Sequence, residues 1–186
     1  MTDFTQDATQ VAEEIHQTLA RIDTAQVEAV LTAIEAAERI FVIGVGREGL
    51  ASRAFAMRLM HCGFEVNLGW DDTTPAVGPK DLLIMVNGSG QIGHLDYVFG
   101  KVAAIGATTV VVTGVPSART PSAADHVLHV PATVYLGEGD LVESIQPMGS
   151  LFEQCTLVVF DLMILQLIKR RGLSYPELAA RHRNFE

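Results

Sequence analysis

The chain has 186 residues and a formal net charge of −9, with 48% hydrophobic and 19% charged residues. Such an acidic chain lacks the basic face that nucleic acid and anionic membranes require, so we expect neither as a partner. Its length suits one domain with its own core and excludes a cofactor domain joined to a separate substrate domain. The high apolar content predicts more buried surface than a small monomer needs, and therefore a homo-oligomer.

Cysteine usage and the first residues favour a reducing, cytoplasmic location. Cys62 and Cys155 stand without CxxC spacing, and the opening segment MTDFTQD has neither a basic stretch nor an apolar run. No spacing of His, Cys, Asp or Glu indicates a metal site, and we expect no metal or other cofactor. The most apolar helical stretch, residues 157–168, is short and interrupted by Asp161 and Gln166, so we do not expect it to span a membrane.

The chain begins with a predicted helical arm. Residues 5–37 carry apolar side chains at helical spacing, with a break at Asp23, which can cap a second helix. Helices ahead of a first strand often pack on a sheet edge or on a neighbour, so this arm is a candidate for oligomer contacts. We expect a single domain over residues 1–186, with N-terminal helices at 1–38 and an α/β core with C-terminal helices and a tail at 39–186.

A strand, a glycine turn and a helix follow the arm. Residues 40–43 are apolar and β-branched, and residues 50–61 continue with helical periodicity. Such a junction suits anions, because backbone N–H groups and the positive end of the helix dipole converge there. Residues 44–49 match G-x-G-x-x-G, and Asp71 lies about twenty residues further on, which supports a dinucleotide-dependent oxidoreductase as one alternative. The missing substrate domain and a second glycine-serine loop at residues 87–90 argue against it.

Strands and helices alternate through the rest of the chain. The run LLIMV at residues 82–86 is typical of a strand buried on both faces of a parallel sheet. Together the elements predict an α/β fold, a three-layer αβα sandwich with a five-stranded, mostly parallel sheet. The remaining predicted strands lie at residues 64–68, 107–113 and 126–130, and the predicted helices at 92–105, 150–171 and 174–181.

Three segments should meet beyond the carboxyl ends of the strands, where ligands bind in an open parallel sheet. They are the loop at Gly46, the loop at residues 87–90 and the start of the helix at Ser150. The two loops suit anions, and Ser89 adds a hydroxyl. Glu153 brings a carboxylate suited to proton transfer. The alternative is a capping box, in which Ser150 caps the helix and Glu153 only satisfies a backbone N–H.

Six segments of the chain, in order and at compatible spacing, resemble the 6-phospho-3-hexuloisomerases, a family of sugar isomerase (SIS) domain proteins. The resemblance runs from about residue 40 to the C-terminus, and its most specific blocks are 55–61 and 146–154. The segments are GVGR at 44–47, FAMRLMH at 55–61, TTP at 73–75, GSG at 88–90, QPMGSLFEQ at 146–154 and HRN at 182–184.

The resemblance implies a flavodoxin-like SIS fold and a tetramer that interconverts a hexulose 6-phosphate and fructose 6-phosphate without a metal. In such a site the loop at Ser89 holds the phosphate, and Glu153 moves a proton between two carbons through an enediolate. For a 3-hexulose these carbons are C2 and C3. His61 and His182 assist proton transfer to oxygen, and His182 on its terminal tail could reach a neighbouring subunit's site. The substrate-binding residues implied are Gly46, Arg47, Glu48, Thr73, Asn87, Gly88, Ser89, Gly90, Gln91 and Ile92.

Three positions depart from the family pattern. A serine is usual where this chain has Glu48 and Asn87, and a threonine where it has Ile92. Each lost hydroxyl removes a phosphate hydrogen bond worth roughly 1.5–3 kcal/mol. An ionised Glu48 about 4 Å from a phosphate adds a repulsion of about 4 kcal/mol at an effective dielectric constant of 20. Either Glu48 points away, or Arg47 neutralises it, or the ligand is not a sugar phosphate. A SIS protein that binds sugar phosphates without catalysis is therefore a second class of function.

Overall fold

The computed structural model describes residues 3–185. Two helices, α1 (Phe4–Ala20) and α2 (Thr24–Ala36), precede the first strand. Asp3 and Asp23 each accept a hydrogen bond from the backbone N–H two residues further on, and thereby cap the two helices. The predicted helical arm and its break at Asp23 are confirmed.

Five strands form one sheet. They are β1 (Ile40–Ile43), β2 (Val66–Leu68), β3 (Leu82–Val86), β4 (Thr108–Thr113) and β5 (His126–His129). Their order is β2-β1-β3-β4-β5, and every neighbouring pair is parallel. The predicted five-stranded, mostly parallel sheet is confirmed, although β2 is shorter than residues 64–68. The strand begins only at Val66, because the N–H of Phe64 still donates to the carbonyl of Leu59 at the end of the preceding helix.

Helices cover both faces of the sheet. Four α-helices follow β1 in the described residues: α3 (Gly46–His61), α4 (Gly93–Ile105), α5 (Ser150–Arg171) and α6 (Tyr175–Ala180). Helices α2, α3 and α5 pack on one face, with Val42 and Ile84, whereas α4 packs on the other, with Phe41 and Met85. Because both faces are covered, β1 and β3 are buried throughout, and every position in them is apolar. The predicted three-layer sandwich is confirmed.

The long connection between β5 and α5 is anchored on the N-terminal arm. The buried carboxylate of Glu14 in α1 accepts hydrogen bonds from Ser144 Oγ at 2.7 Å and from the Ile145 N–H at 3.1 Å. Burial opposes the charge of Glu14, but these hydrogen bonds outweigh it and hold its pKa below the ordinary value. Helix α1 therefore packs within its own subunit, and its role in oligomer contacts stays a prediction.

Helix α5 is long and apolar enough to cross a membrane by length and composition alone. Its most apolar 18-residue stretch has a mean hydropathy of 1.8, and half of that stretch is buried within the chain. Phe160 of α5 stacks on Phe55 of α3 with ring centroids 4.1 Å apart. A core helix of a globular protein has the same length, composition and packing, so α5 is weak evidence for a membrane span.

Candidate active site

The three segments predicted to form the site meet beyond the carboxyl ends of β1 and β3. Oε1 of Glu48, in the first turn of α3, accepts a hydrogen bond of 3.1 Å from the backbone N–H of Gly88. Nε of Arg47 lies 2.5 Å from Oε2 of Glu153, in the first turn of α5. These contacts join α3 to the loop after β3 and to α5, so the glycine turn, the small-residue loop and the start of α5 form one site.

Glycines allow the backbone turns that bring these segments together. Gly46 and Gly90 have φ angles of +55° and +70°, in the left-handed region that residues with a Cβ rarely adopt. Gly88 is needed for close approach, because a Cβ there would lie 2.5 Å from Oε1 of Glu48 and 3.0 Å from the ring of Phe152. The loop therefore closes directly onto the carboxyl of Glu48 and onto α5.

Thr113, the last residue of β4, fixes this loop from the neighbouring strand. Its buried Oγ1 donates to the Gly88 carbonyl at 3.0 Å and accepts a hydrogen bond from the Val115 N–H at 3.0 Å. Sequence reasoning missed this residue because TTVVVT resembles any β-branched strand. The available signal was a hydroxyl at the carboxyl end of a strand that neighbours β3.

Trp70 supports the glycine turn from another side, and sequence reasoning missed it as well. Its Nε1 donates to the carbonyl of Gly44 at 2.9 Å, and its ring centroid lies 5.9 Å from that of His94 in the first turn of α4. The only tryptophan of the chain, standing at the start of a polar loop, was the available signal.

Glu48 has a strongly perturbed carboxyl group. Burial raises its pKa, the hydrogen bond from Gly88 opposes this, and the nearby charge of Glu153 adds to the rise, which brings the pKa to about 7. Its Oε2 is buried and has no hydrogen-bond partner among the described residues. Glu48 does not point away from the loop, and Arg47, considered above as its neutralising partner, contacts Glu153 instead.

Glu153 does not form the capping box that its sequence context allows. Ser150 is the first residue of α5, and the N-cap residue is Gly149, so no side chain caps the helix. The N–H of Glu153 donates to the Gly149 carbonyl at 2.9 Å. The Glu153 side chain is 18% exposed. Its Oε2 is buried against Arg47, and the geometry of this contact is not that of a hydrogen bond. The capping-box interpretation was wrong, and the Glu153 side chain stays partly exposed at the start of α5.

The other predicted ligand residues differ in their surroundings. Asn87 is fully buried, and neither polar atom of its amide has a partner among the described residues. Ser89 is half-buried and Gln91 is exposed. Ile92 packs against the apolar cluster under α4, and Thr73 lines a separate cavity of about 580 Å³ beside α3 and β2. Their roles as substrate ligands stay predictions.

His61 and His182 lie together, but at the opposite end of α3 from Glu48. Their rings stack with centroids 5.2 Å apart and line a cavity of about 490 Å³ between α3, α5 and α6. Burial, then the charges of Arg58 and His182, lower the pKa of His61. At 1.5 Å per residue, the 16-residue helix separates His61 from Glu48 by about 20 Å. Within one chain the two histidines are therefore not brought to Glu153.

The arrangement at the strand ends combines an anion cradle with a group that can move a proton. Backbone N–H groups at the starts of α3 and α4, with the Ser89 hydroxyl, suit a phosphate. A carboxylate such as Glu153 can exchange a proton with a carbon acid held beside that cradle. Within residues 3–185, no group of three or more His, Cys, Asp and Glu side chains is placed to hold a metal ion.

Known proteins resemble this chain over most of its length. The SIS domain family matches residues 33–157, a span that contains all five strands, both loops and Glu153. The 3-hexulose-6-phosphate isomerase of Bacillus subtilis is 31% identical over 182 residues, which are 98% of each chain. The protein of the same name from Mycobacterium gastri is 35% identical over 184 residues, 99% of this chain and 92% of the other.

Solved structures agree with this relationship. A hypothetical protein from Methanococcus jannaschii, whose crystal structure was used to infer a 3-hexulose-6-phosphate isomerase function, gives a TM-score of 0.85 at 29% identity, covering 97% of this chain and 99% of the other. A second hypothetical protein gives a TM-score of 0.89 at 30% identity, covering 97% and 96% of the two chains. The chain belongs to the SIS domain family.

Proposed function

We propose that this SIS protein is an isomerase that interconverts 3-hexulose 6-phosphate and fructose 6-phosphate. The observation that carries the proposal is the position of Glu153, paired with Arg47 beside the loop at residues 87–90. Relatives of nearly the same length that are named 3-hexulose-6-phosphate isomerases support the isomerase class.

The phosphate binds at the loop before α4. The dipole of α4 and its free N–H groups attract the dianion, and the half-buried Ser89 hydroxyl donates to it. Gly46 and Gly90 keep the two turns free of side chains that would block the approach. The sugar chain then extends from this loop toward the first turn of α5.

Glu153 moves the proton. In fructose 6-phosphate the carbonyl is at C2, so Glu153 takes the C3 proton, an enediolate forms across C2 and C3, and the proton returns to C2. The carbonyl is then at C3, and no redox cofactor is consumed. Arg47, whose guanidinium lies against Glu153, holds the carboxylate in place and offers positive charge to the enediolate oxygens.

The histidines act from another subunit. Because His61 lies about 20 Å along α3 from Glu48 and His182 stacks on His61, the two histidines reach a carboxylate site only if a neighbouring copy presents them. We propose a homo-oligomer, a tetramer, built from single-domain subunits. Large apolar side chains on the outer faces of α3 and α5 supply surface for it: Leu50, Met57, Met60, Leu157, Leu162 and Leu165.

We propose the cytoplasm as the location, because the phosphosugar substrate and the two free, buried cysteines belong to a reducing compartment.

The net charge of −9 leaves nucleic acid and anionic membranes unsuited as partners. In this proposal the glycine turn that matches a dinucleotide motif forms one wall of the phosphosugar site.

A second candidate is a SIS-type protein that binds sugars or sugar phosphates without turning them over and has lost efficient capture of the phosphate. Glu48 favours it, because its carboxyl accepts the Gly88 N–H that a phosphate would otherwise use. Ile92 favours it too, since its side chain packs in the apolar cluster under α4 and supplies no hydroxyl.

One assay separates the two candidates. The protein is incubated with 3-hexulose 6-phosphate, and fructose 6-phosphate is measured by a coupled enzyme reaction, while binding is measured by calorimetry. Turnover that is lost in Glu153→Gln supports the isomerase. Binding without turnover would contradict it and support the second candidate.

A further inference from the structure

The carboxyl of Glu48 occupies a hydrogen-bond donor of the proposed phosphate loop. Its Oε1 accepts the Gly88 N–H at 3.1 Å, and Gly88 begins the Gly-Ser-Gly segment of that loop. A Cβ on Gly88 would lie 2.5 Å from this same oxygen, so the loop and the carboxyl are in close contact. A phosphate bound at Ser89 therefore lies beside Glu48.

Among the described residues, the recorded contacts of the Glu48 carboxyl include no cation. On its own helix, the guanidinium of Arg47 lies against Glu153. From α5, Glu153 faces Glu48 with a like charge, and the ring of Phe152 packs against Gly88. From the loop after β3, Gly88 offers only its N–H. Oε2 of Glu48 is buried and unpartnered among the described residues, which favours the neutral carboxyl.

We propose that Glu48 is a neutral carboxylic acid whenever a phosphosugar is bound, so that binding takes up a proton from solvent wherever the free protein has lost it. In that form Oε1 keeps the Gly88 hydrogen bond, and Oε2 carries the proton. The O–H group then stands in for the serine hydroxyl that the resemblance leads us to expect at this position. No bond of the sugar forms or breaks in this step.

Because Glu48 must be protonated in the complex, the affinity for a phosphosugar depends on pH. The pKa of Glu48 is raised to about 7, so the free protein still carries part of this proton at neutral pH. Above that value the proton must be taken from water, and phosphosugar affinity falls by about tenfold per pH unit. A sugar without a phosphate brings no charge to the loop, and its affinity does not depend on Glu48 ionisation. The inference rests on phosphosugar binding, the first part of the proposed function.

The test uses glucitol 6-phosphate, an open-chain phosphosugar that has no carbonyl to isomerise. Calorimetric titrations at about pH 8, in buffers of different ionisation enthalpy, give the protons taken up per site. The wild type is compared with Glu48→Gln, which keeps the shape and cannot ionise, and with Glu48→Ser. Glu13→Gln is the matched control, since Glu13 is an exposed carboxylate on α1. Glucitol is the control ligand, and circular dichroism checks that each variant is folded.

We expect about one proton per phosphosugar for the wild type and for Glu13→Gln, and none for the two Glu48 variants. At the same pH, Glu48→Gln should bind about tenfold more tightly than the wild type. Equal affinities without proton uptake would overturn this inference and leave the proposed function standing. If neither the wild type nor the Glu48 variants bind glucitol 6-phosphate at any pH, the proposed function fails, and this inference fails with it.

Discussion

The two ends of α3 carry different chemistry. At its N-terminus the carboxyl groups of Glu48 and Glu153 meet a guanidinium and the backbone N–H of a glycine loop. At its C-terminus two stacked histidines line a cavity with Asp161 and Tyr175. The N-terminal end can bind an anion and place a carboxylate beside a carbon acid, whereas the imidazoles at the C-terminal end can exchange protons with oxygen.

The separation predicts that a neighbouring subunit completes the proposed site. Within one chain the carboxylate end contains the proposed phosphate loop and the proposed base, but neither His61 nor His182. The histidine end contains both imidazoles and lacks the loop. If the reaction needs both sets, the histidine end of one subunit must lie against the carboxylate end of another, and the proposed oligomer is then part of the proposed mechanism.

The largest effect should come from the carboxylate end. Glu153→Gln removes the proposed base and keeps the shape of the side chain, so kcat should fall by about 10²–10⁴-fold. The coupled assay with 3-hexulose 6-phosphate measures this loss. Glu143→Gln, at an exposed carboxylate in the connection before α5, should retain full activity. Turnover retained by Glu153→Gln would remove this residue from the mechanism.

Mixed oligomers test whether the two ends belong to different subunits. His182→Asn alone should lower kcat by up to about 10²-fold, because proton transfer to oxygen slows. When His182→Asn and Glu153→Gln subunits are mixed and allowed to exchange, some sites regain both groups, and activity should exceed that of either parent. Native mass spectrometry verifies the exchange. Exchanged mixtures without recovery would contradict a shared site.

Glu48 should make the free energy of unfolding depend on pH. Its folded pKa of about 7 lies above the ordinary value, so its protonated form stabilises the fold fully below about pH 4.5. This contribution is lost as the pH rises through 7. Glu48→Gln cannot lose it and should be more stable than the wild type by about 1–3 kcal/mol at pH 8, with no such gain near pH 4.5. Urea unfolding at both pH values measures the difference, and equal gains at both would contradict it.

The smallest effect on stability should come from Arg47. Its side chain is 59% exposed, so replacing it by methionine should change the free energy of unfolding by less than about 0.5 kcal/mol. Activity should respond more, because in the proposed mechanism Arg47 holds Glu153 in place beside the substrate. A fall in kcat with unchanged stability supports this positioning role, and unchanged kcat would contradict it.

Most of the fold could be predicted because its determinants are local. The apolar runs of β1 and β3 reflect burial on both faces, and Asp23 marks a helix start by its own side chain. The predicted start of α5 at Ser150 is confirmed, whereas the alternative capping box does not form, because Met148 adopts a φ of +57° and Gly149 becomes the N-cap, which leaves Ser150 inside the helix.

The three segments of the candidate site could be predicted from the sequence, but the contacts between their residues could not. The three segments were identified because parallel strands end at one edge. The Glu48–Gly88 hydrogen bond joins residues 40 positions apart and depends on the backbone of the loop, which residue types alone do not specify. The distance from Glu48 to His61 was implicit in the length of α3, but their membership of one site was inferred from the resemblance.

The most direct test of the proposed reaction is proton exchange at carbon. Fructose 6-phosphate is incubated with the protein in D₂O and followed by NMR. Proton transfer by Glu153 through an enediolate predicts a 3-ketose phosphate in equilibrium with the substrate, and deuterium at C2 of that product and at C3 of fructose 6-phosphate. Glu153→Gln should show neither. Fructose 6-phosphate that binds to the wild type and stays unconverted and free of deuterium would contradict the proposed isomerase.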